Sequence, residues 1–195
     1  MAIIRLYMTM SLDWYVTGPQ DNPDTPLGIG GFRLFNWLER RNDPGPSGQV
    51  YAEALATRAV ISGRRTYELA GRWQGDHHDG VPIFVLTHDV PDDPPPGSAR
   101  YVTDVHECAA QARAAAGRGE VMVHGAAVAQ ALLRAGQLDE LELHVVPVLL
   151  GQGRRLFDNL PAEHIEIELV RRLTTPQLDD LTQRVTHLRY RIRRP

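Results

Sequence analysis

The chain has 195 residues, of which 43% are hydrophobic and 23% are charged, and its formal net charge is −3. This is the composition of an ordinary globular protein, long enough for a full-sized hydrophobic core. We predict a single domain over residues 1–195. The slightly acidic balance argues against nucleic-acid binding, which usually needs a basic face.

The sequence also argues against secretion, a membrane and a metal site. It has no apolar run near the ~20 residues that a membrane span needs, and residues 1–8 carry no cationic leader. Cys108 is the only cysteine, which suits a reducing compartment. We therefore expect a cytoplasmic protein. The adjacent pair His77 and His78 lies in a polar loop, which predicts solvated side chains, and we expect no metal.

The N-terminal part of the chain predicts one strand and two helices. Residues 3–10 form an apolar run typical of a buried strand. Residues 11–18 predict a turn, and residues 19–31, rich in Pro, Gly and Asp, predict a loop. Amphipathic spacing over 32–38 predicts a helix, and a second helix is expected over 47–57.

From residue 58 onwards, strand and helix patterns alternate. Strands are predicted over 58–62, 81–87, 100–103, 120–123 and 141–149, and helices over 63–70, 104–116 and 126–135. Residues 90–99 contain four prolines and predict an extended surface linker. Pro147 places its strand near a sheet edge or a bulge.

The C-terminal part changes character. Residues 154–157 predict a short edge piece, and 165–170 and 185–192 alternate as half-buried strands do. A turn near 176–180 would join the last two into a hairpin. Strand–helix repeats followed by antiparallel strands predict an α/β fold of three layers. Its mixed central sheet would be mostly parallel, with helices on both faces.

Two strand–helix junctions could carry chemistry. Gly63 precedes Arg64, Arg65 and Thr66 at a predicted helix start, where free N–H groups and arginines suit phosphate. The alternative is a capped helix with solvated arginines. The second junction, His124–Val128, has small residues that let a pyrophosphate approach, although such residues also serve packing alone.

Two further segments are ambiguous. The apolar strand over 141–149, which leads into the glycine loop 151–153, could be purely structural, although ligands in open α/β sheets bind at such strand ends. Asp13 is the only carboxylate close after the first strand. It could relay a proton or orient a substrate, or it could be a turn residue that binds its own backbone.

Taken together, the order of these motifs resembles the dihydrofolate-reductase-like family, in particular the C-terminal reductase domain of the riboflavin-biosynthesis deaminase/reductase. The matching segments are Ser11–Asp13, Gly63–Thr66, Leu86–Thr87, Leu132–Leu141, Pro147–Gly153 and Thr186–Tyr190. The resemblance covers nearly the whole chain. It implies that fold, NADPH as cofactor, a small heterocyclic substrate and a homodimer whose interface includes the 141–149 strand.

The resemblance also implies site residues. The adenosine-side phosphates would meet Gly63, Arg64, Arg65 and Thr66, with Thr87 and His88 beside the ribose phosphate or adenine. The pyrophosphate would face His124, Gly125, Ala126, Ala127 and Val128, and the nicotinamide would lie against Val16 and Thr17. The substrate side would be formed by Trp14, Phe32, Phe35, Trp37, Leu149 and Gly151.

Two residues depart from the family pattern, because His124 and Trp14 stand where the family has glycine. They could reflect drift on a tolerant scaffold, a pocket reshaped for an unusual substrate, or loss of cofactor binding. In a reshaped pocket His124 would be a candidate acid and Trp14 a stacking surface, with Asp13 the other catalytic candidate.

The leading hypothesis is therefore an NADPH-dependent reductase that acts on a pterin-, pyrimidine- or ribosylaminopyrimidine-like ring. It would resemble 5-amino-6-(5-phosphoribosylamino)uracil reductase. The alternatives are a ligand-binding homologue without catalysis and a tailoring enzyme of secondary metabolism.

Overall fold

The computed structural model describes residues 1–92, 97, 99–160, 163–175 and 181–193. Within this part of the chain the strands are β1 (Ile3–Ser11), β2 (Tyr15–Thr17), β3 (Ala59–Gly63), β4 (Ile83–Leu86), β5 (Ala99–Val102), β6 (Glu120–His124), β7 (Glu140–Val146), β8 (Arg154–Arg155), β9 (Ile167–Thr174) and β10 (Thr186–Ile192). The α-helices are α1 (Pro46–Leu55), α2 (Arg64–Leu69), α3 (Val105–Ala116) and α4 (Ala126–Arg134). Segments of 3₁₀ helix span Gly31–Arg40, Gly71–Gly75 and Leu181–Gln183.

Eight strands form one sheet in the order β5-β4-β3-β6-β1-β7-β10-β9. The strands from β5 to β7 are parallel to their neighbours, whereas β10 is antiparallel to both β7 and β9. The mixed, mostly parallel sheet and its antiparallel C-terminal strands confirm the predicted fold class. Side chains at the carboxyl ends of the parallel strands share one edge, where ligands of such sheets bind.

Helices cover both faces of the sheet because successive strand residues point to opposite sides. On one face Ile4 and Leu6 of β1 belong to a core that includes Ala109 of α3 and Leu132 of α4. On the other face, Tyr7 of β1 belongs to a second cluster with residues of α2 and β4. This second face also carries the candidate site.

The prediction for the strand over 141–149 was wrong in length and position. β7 ends at Val146, directly before Pro147, whose missing N–H cannot continue a ladder. β7 lies between β1 and β10, so it is an interior strand and not an edge. Because both its edges are already paired, β7 cannot pair edge to edge with a strand of a second copy.

The elements predicted around the first loop also differ from those in the structure. β2 lies within the predicted turn and pairs with β8 in a separate two-stranded sheet. The predicted helix over 32–38 is a longer 3₁₀ segment with three residues per turn. Leu34 and Trp37 therefore face inward together, whereas Phe32 is exposed.

The last two strands pair as predicted, although β9 runs over Ile167–Thr174 and not 165–170. β9 is the edge strand, and Leu169 and Val170 on it are exposed, so it is less buried than predicted. The predicted turn at 176–180 lies outside the described residues. In the part of the chain that the structure describes, no helix is long and apolar enough to cross a membrane.

Candidate functional site

A cavity of about 530 Å³ opens on the face of the sheet that α1 and α2 cover. Its floor is formed by the carboxyl-terminal parts of β1 and β6. Its walls come from α1, α2, both 3₁₀ segments of the first half of the chain and the β2–β8 pair. The predicted site residues in its lining are Val16, Thr17, Phe35, Trp37, Arg65, Thr66, His124, Gly125 and Ala126.

The start of α4 reaches this cavity through Gly125. A Cβ on Gly125 would lie 2.6 Å from Thr66 Oγ1 of α2, and the residue has a φ of +110°. Glycine is therefore required here by both crowding and backbone conformation. Gly125 and Ala126 line the cavity, while Ala127 is exposed and Val128 is buried. The first N–H groups of a helix have no intrahelical partners and can bind an anion.

The two arginines of α2 lie in different surroundings. Arg65 lines the cavity and forms an ion pair of 3.0 Å with Asp21, which also pairs with Arg154. Arg64 is outside this lining, because its Nη1 donates to the backbone oxygen of Asp89 and its Nε pairs with Glu68.

Arg64 therefore lies beside the segment that follows β4. Thr87 Oγ1 donates to the same Asp89 oxygen at 2.9 Å, and His88 between them is exposed. Arg64 thus lies beside Thr87 and His88, which the resemblance places next to the ribose phosphate or adenine. Arg64 and Arg65, which the resemblance places at the same phosphates, bind different partners.

Val16 and Thr17 of β2 form the opposite wall of the cavity. Thr17 Oγ1 is buried, and among the described residues it has no hydrogen-bond partner. An unpaired buried hydroxyl is unfavourable by roughly 1–3 kcal/mol, so a ligand group that bonds to it would relieve that cost.

Several predicted residues lie outside the cavity lining. Asp13 accepts hydrogen bonds from the backbone N–H groups of Leu150 and Gly151, at 3.1 and 2.7 Å. Asp13 therefore binds the backbone of the distant loop after β7 and not that of its own turn, and its catalytic role stays a prediction. Trp14 and Leu149 have side chains that are 57% and 69% exposed, so neither forms a wall of the cavity.

The prediction that His77 and His78 are solvated was wrong. His78 is buried, and its Nδ1 lies 2.7 Å from Nδ1 of His77. Nε2 of His77 lies 3.1 Å from Nε2 of His124, which lines the cavity with it. Burial lowers the pKa of His77 to about 3 and that of His124 to about 4. Both rings are therefore neutral at pH 7.

Trp73 holds this histidine group in place. Its ring packs edge-on against His77 with centroids 4.6 Å apart. Residues 72–74 all have positive φ, a conformation that non-glycine residues rarely adopt. Such strain persists only where the surroundings enforce it, and it is frequent at functional sites.

A second histidine pair lies deeper in the wall. Nδ1 of His144 and Nδ1 of His187 are 2.9 Å apart, and the Trp37 ring packs against both. Burial, reinforced by the positive charge of Arg171, lowers the pKa of His187 to about 4. Burial and the neighbouring His187 also lower the pKa of His144 well below its usual value.

Because of this buried histidine pair, we expect the protein to lose stability in mild acid. The folded-state pKa of His187 is below its unfolded value of 6.5, so the unfolded chain binds more protons between pH 6.5 and about 4. Stability is therefore full above pH 6.5 and falls as the pH decreases. Between pH 7.5 and pH 5, the protonation of His187 should lower the free energy of unfolding by about 2 kcal/mol.

Denaturant unfolding at both pH values, on the wild type and His187→Gln, measures this contribution. The wild type should lose about 2 kcal/mol more than the variant over that pH range. An equal loss in the two proteins would show that His187 does not titrate as its burial requires.

Sequence analysis missed several residues of the site: Asp21, Trp73, His77, His144 and Arg154. Asp21, Trp73 and His77 lie in loops or in a 3₁₀ segment, and His144 lies on β7. Arg154 lies on β8, which was expected only as an edge piece. The one available signal was Trp73 followed by His77 and His78, an unusual concentration of rings in a polar loop.

Among the described residues, no group of three or more His, Cys, Asp or Glu side chains is arranged to hold a metal ion. The cavity lining combines the start of α4, Arg65 and the apolar side chains of Val16, Phe35 and Trp37.

Comparison with solved structures shows the same fold in two proteins. One is a protein from Shewanella sp. PV-4 assigned to riboflavin biosynthesis, with a TM-score of 0.72, 22% identity and full coverage of both chains. The other is dihydrofolate reductase from Enterococcus faecalis complexed with NADP(H) and RAB-propyl. It has a TM-score of 0.62 and 14% identity, over 97% of this chain and 96% of that one.

A search of curated proteins gives no match. The sequence profile of the RibD C-terminal domain, however, matches residues 2–178. This confirms the resemblance drawn from the motifs. Because the match covers most of the chain, the protein belongs to the RibD C-terminal domain family.

Proposed function

We propose that this protein is an NADPH-dependent reductase that transfers a hydride to a small heterocycle of the pterin, pyrimidine or ribosylaminopyrimidine type. Membership of the RibD C-terminal domain family supports a reductase of the riboflavin-biosynthesis or dihydrofolate-reductase type. The dihydrofolate reductase neighbour was solved with NADP(H), which supports the choice of cofactor.

The observation that carries the proposal is the junction at Gly125. The absence of a Cβ there lets α2 and the start of α4 approach closely, and it leaves the α4 N-terminus open to the cavity. A helix start with accessible N–H groups suits a pyrophosphate. The buried, unpaired hydroxyl of Thr17 at the opposite wall suits a polar group of the nicotinamide end. The residues present therefore fit the cofactor.

Each part of the chain would have one task. The first N–H groups of α4 would bind the pyrophosphate, and Val16 and Thr17 would orient the nicotinamide. Phe35 and Trp37 would form the substrate wall and exclude water. When bound, NADPH would supply the hydride, so the protein's own contribution is orientation and electrostatics.

We assign the ribose phosphate to Arg64. Its charged partner, Glu68, forms an exposed i,i+4 pair, and exposed pairs of this kind are weak and easily given up. Arg65 already has Asp21 as a partner that is mostly buried. The planar guanidinium of Arg64 could bind a phosphate in bidentate fashion.

Titration with NADPH and NADH tests this assignment, followed through the tryptophan fluorescence. Arg64→Met should weaken NADPH binding about 10- to 100-fold, because a hydrogen bond to a charged group contributes roughly 1.5–3 kcal/mol. NADH binding should be unchanged. Arg118→Met is the matched control, because this exposed arginine lies before β6 at the amino end of the sheet.

The outcomes of this titration separate the proposals. Equal affinity of the wild type for NADPH and NADH would contradict the role of Arg64. Binding of neither would contradict the reductase and favour the non-catalytic, ligand-binding homologue. We also propose a homodimer of single-domain chains, as the family resemblance implies, with the segment 141–149 as part of its interface.

A further inference from the structure

Three imidazoles form a continuous chain between two backbone carbonyls at the cavity wall. Nδ1 of His124 lies 3.2 Å from the oxygen of Tyr7 at one end. Nε2 of His78 lies 3.1 Å from the oxygen of Thr57 at the other end. His77 bridges the two rings, with its Nε2 near His124 and its Nδ1 near His78. The chain therefore contains four contacts, and each needs one hydrogen.

Three neutral imidazoles supply only three hydrogens. Carbonyls are acceptors, so Nδ1 of His124 and Nε2 of His78 must carry the hydrogens at the two ends. The Thr57 hydroxyl does not fill the deficit, because it donates to the oxygen of Ala54 at 2.8 Å. The one hydrogen of His77 is left to serve either His78 or His124.

The shorter contact settles where that hydrogen lies. Two bare lone pairs repel more strongly at 2.7 Å than at 3.1 Å, so His77 Nδ1 donates to His78. Nε2 of His77 and Nε2 of His124 are then both without hydrogen and face each other. Both rings line the cavity, so this pair of lone pairs is accessible to a ligand.

We propose that His77 and His124 bind a divalent transition-metal cation, of which Zn²⁺ is the representative, through their two Nε2 atoms. Zinc–imidazole bonds of about 2.0–2.1 Å allow one ion to bridge two nitrogens 3.1 Å apart. Neutral imidazole is a favoured ligand of zinc, nickel and copper. The remaining coordination positions face the cavity and are open to water or to a ligand oxygen.

The surroundings of both rings are those of metal ligands. A metal-binding histidine almost always donates its other ring N–H to a carbonyl or a similar acceptor, which fixes its tautomer. His124 does so to Tyr7, and His77 does so to His78, which is itself anchored on Thr57. Trp73 packs on the His77 ring and limits its rotation.

Two protein ligands make a weaker site than the three or four of catalytic and structural zinc sites. Asp21 lies in the same cavity lining, but it is occupied by Arg65 and Arg154. Further ligands must therefore come from water or from a molecule in the cavity. The proposal concerns the apo protein and does not depend on NADPH.

Calorimetric titration of the chelator-treated protein with Zn²⁺ alone at pH 7 tests this site. The wild type should bind one ion per chain, and both His77→Ala and His124→Ala should bind it at least tenfold more weakly. His164→Ala is the matched control, since its ring is 88% exposed and far from this chain of contacts in sequence. It should bind as the wild type does.

Nitrogen-15 NMR of the histidine rings gives a second readout, in which zinc should shift Nε2 of His77 and His124. The proposal is overturned if the wild type shows no saturable binding, or if His77→Ala binds zinc as tightly as the wild type. His77 lies in a loop, so this variant decides the matter even if His124→Ala does not fold. Because NADPH binding is measured separately, a failure to bind zinc would not contradict the proposed reductase.

Discussion

Gly125→Ala is expected to weaken NADPH binding at least about tenfold, since misplacing binding groups by a fraction of an ångström is costly. The new Cβ would lie 2.6 Å from Thr66 Oγ1 and 3.3 Å from Thr66 Cβ. Thr66 must then rotate or move away, and the backbone at position 125 must leave its φ of +110°, which moves the N–H groups that would hold the pyrophosphate. The fluorescence titration with NADPH measures the change.

Gly136→Ala is the matched control for this variant. Gly136 also has a positive φ, +63°, but a Cβ there would meet no atom within 4 Å. Both variants should lose stability through backbone strain, roughly 1–3 kcal/mol each. Only Gly125→Ala should lose affinity. Unchanged NADPH binding in Gly125→Ala would contradict the assignment of the α4 N-terminus.

Arg5→Met is expected to lower the free energy of unfolding by about 3–5 kcal/mol, the usual effect of removing one partner from a buried ion pair. The Arg5 side chain is only 4% exposed. Its guanidinium donates to Glu140 at 2.8 and 2.9 Å, to Glu120 at 2.8 Å and to the Tyr7 hydroxyl at 2.9 Å. Methionine would fill the space but, among the described residues, leave the buried Glu140 carboxylate with the exposed Arg191 as its ion-pair partner.

Chemical denaturation measures this loss, and Arg40→Met provides the comparison. The Arg40–Asp43 pair is 37% and 46% exposed, and exposed pairs contribute about 0–1 kcal/mol. If Arg5→Met and Arg40→Met lose equal stability, the Arg5 network does not stabilise the sheet as its burial implies.

The fold could be predicted because each strand and helix is indicated by residues that are close together in the sequence. Alternating apolar strands, helix starts after Gly63 and Gly125, and the regular spacing between them indicate a parallel sheet without any long-range data. The strand over 141–149 failed for a local reason, since Pro147 terminates a ladder that hydrophobicity alone would continue.

The candidate site could be predicted only in part. Gly125 and Arg65 stand at junctions with recognisable patterns, whereas Thr17 was implied by the family resemblance, and the structure places all three in the lining of one cavity. His77 and His144 could not be found in this way, because loop packing and strand order bring them there. Burial of a histidine depends on neighbours distant in sequence, so the polar loop around His77 and His78 gave the wrong expectation.

Hydride transfer from NADPH inside this cavity is the reaction that defines the proposed reductase. NADPH with both C4 hydrogens replaced by deuterium, a panel of oxidised pterins and ribosylaminopyrimidines, and mass spectrometry of the products test this transfer. One deuterium is expected in the product, on the ring of a reduced pterin or on the opened sugar carbon of a ribosylaminopyrimidine, and less of it with Gly125→Ala than with Gly136→Ala. NADPH that binds in the cavity but transfers deuterium to no member of the panel would contradict the proposed reductase.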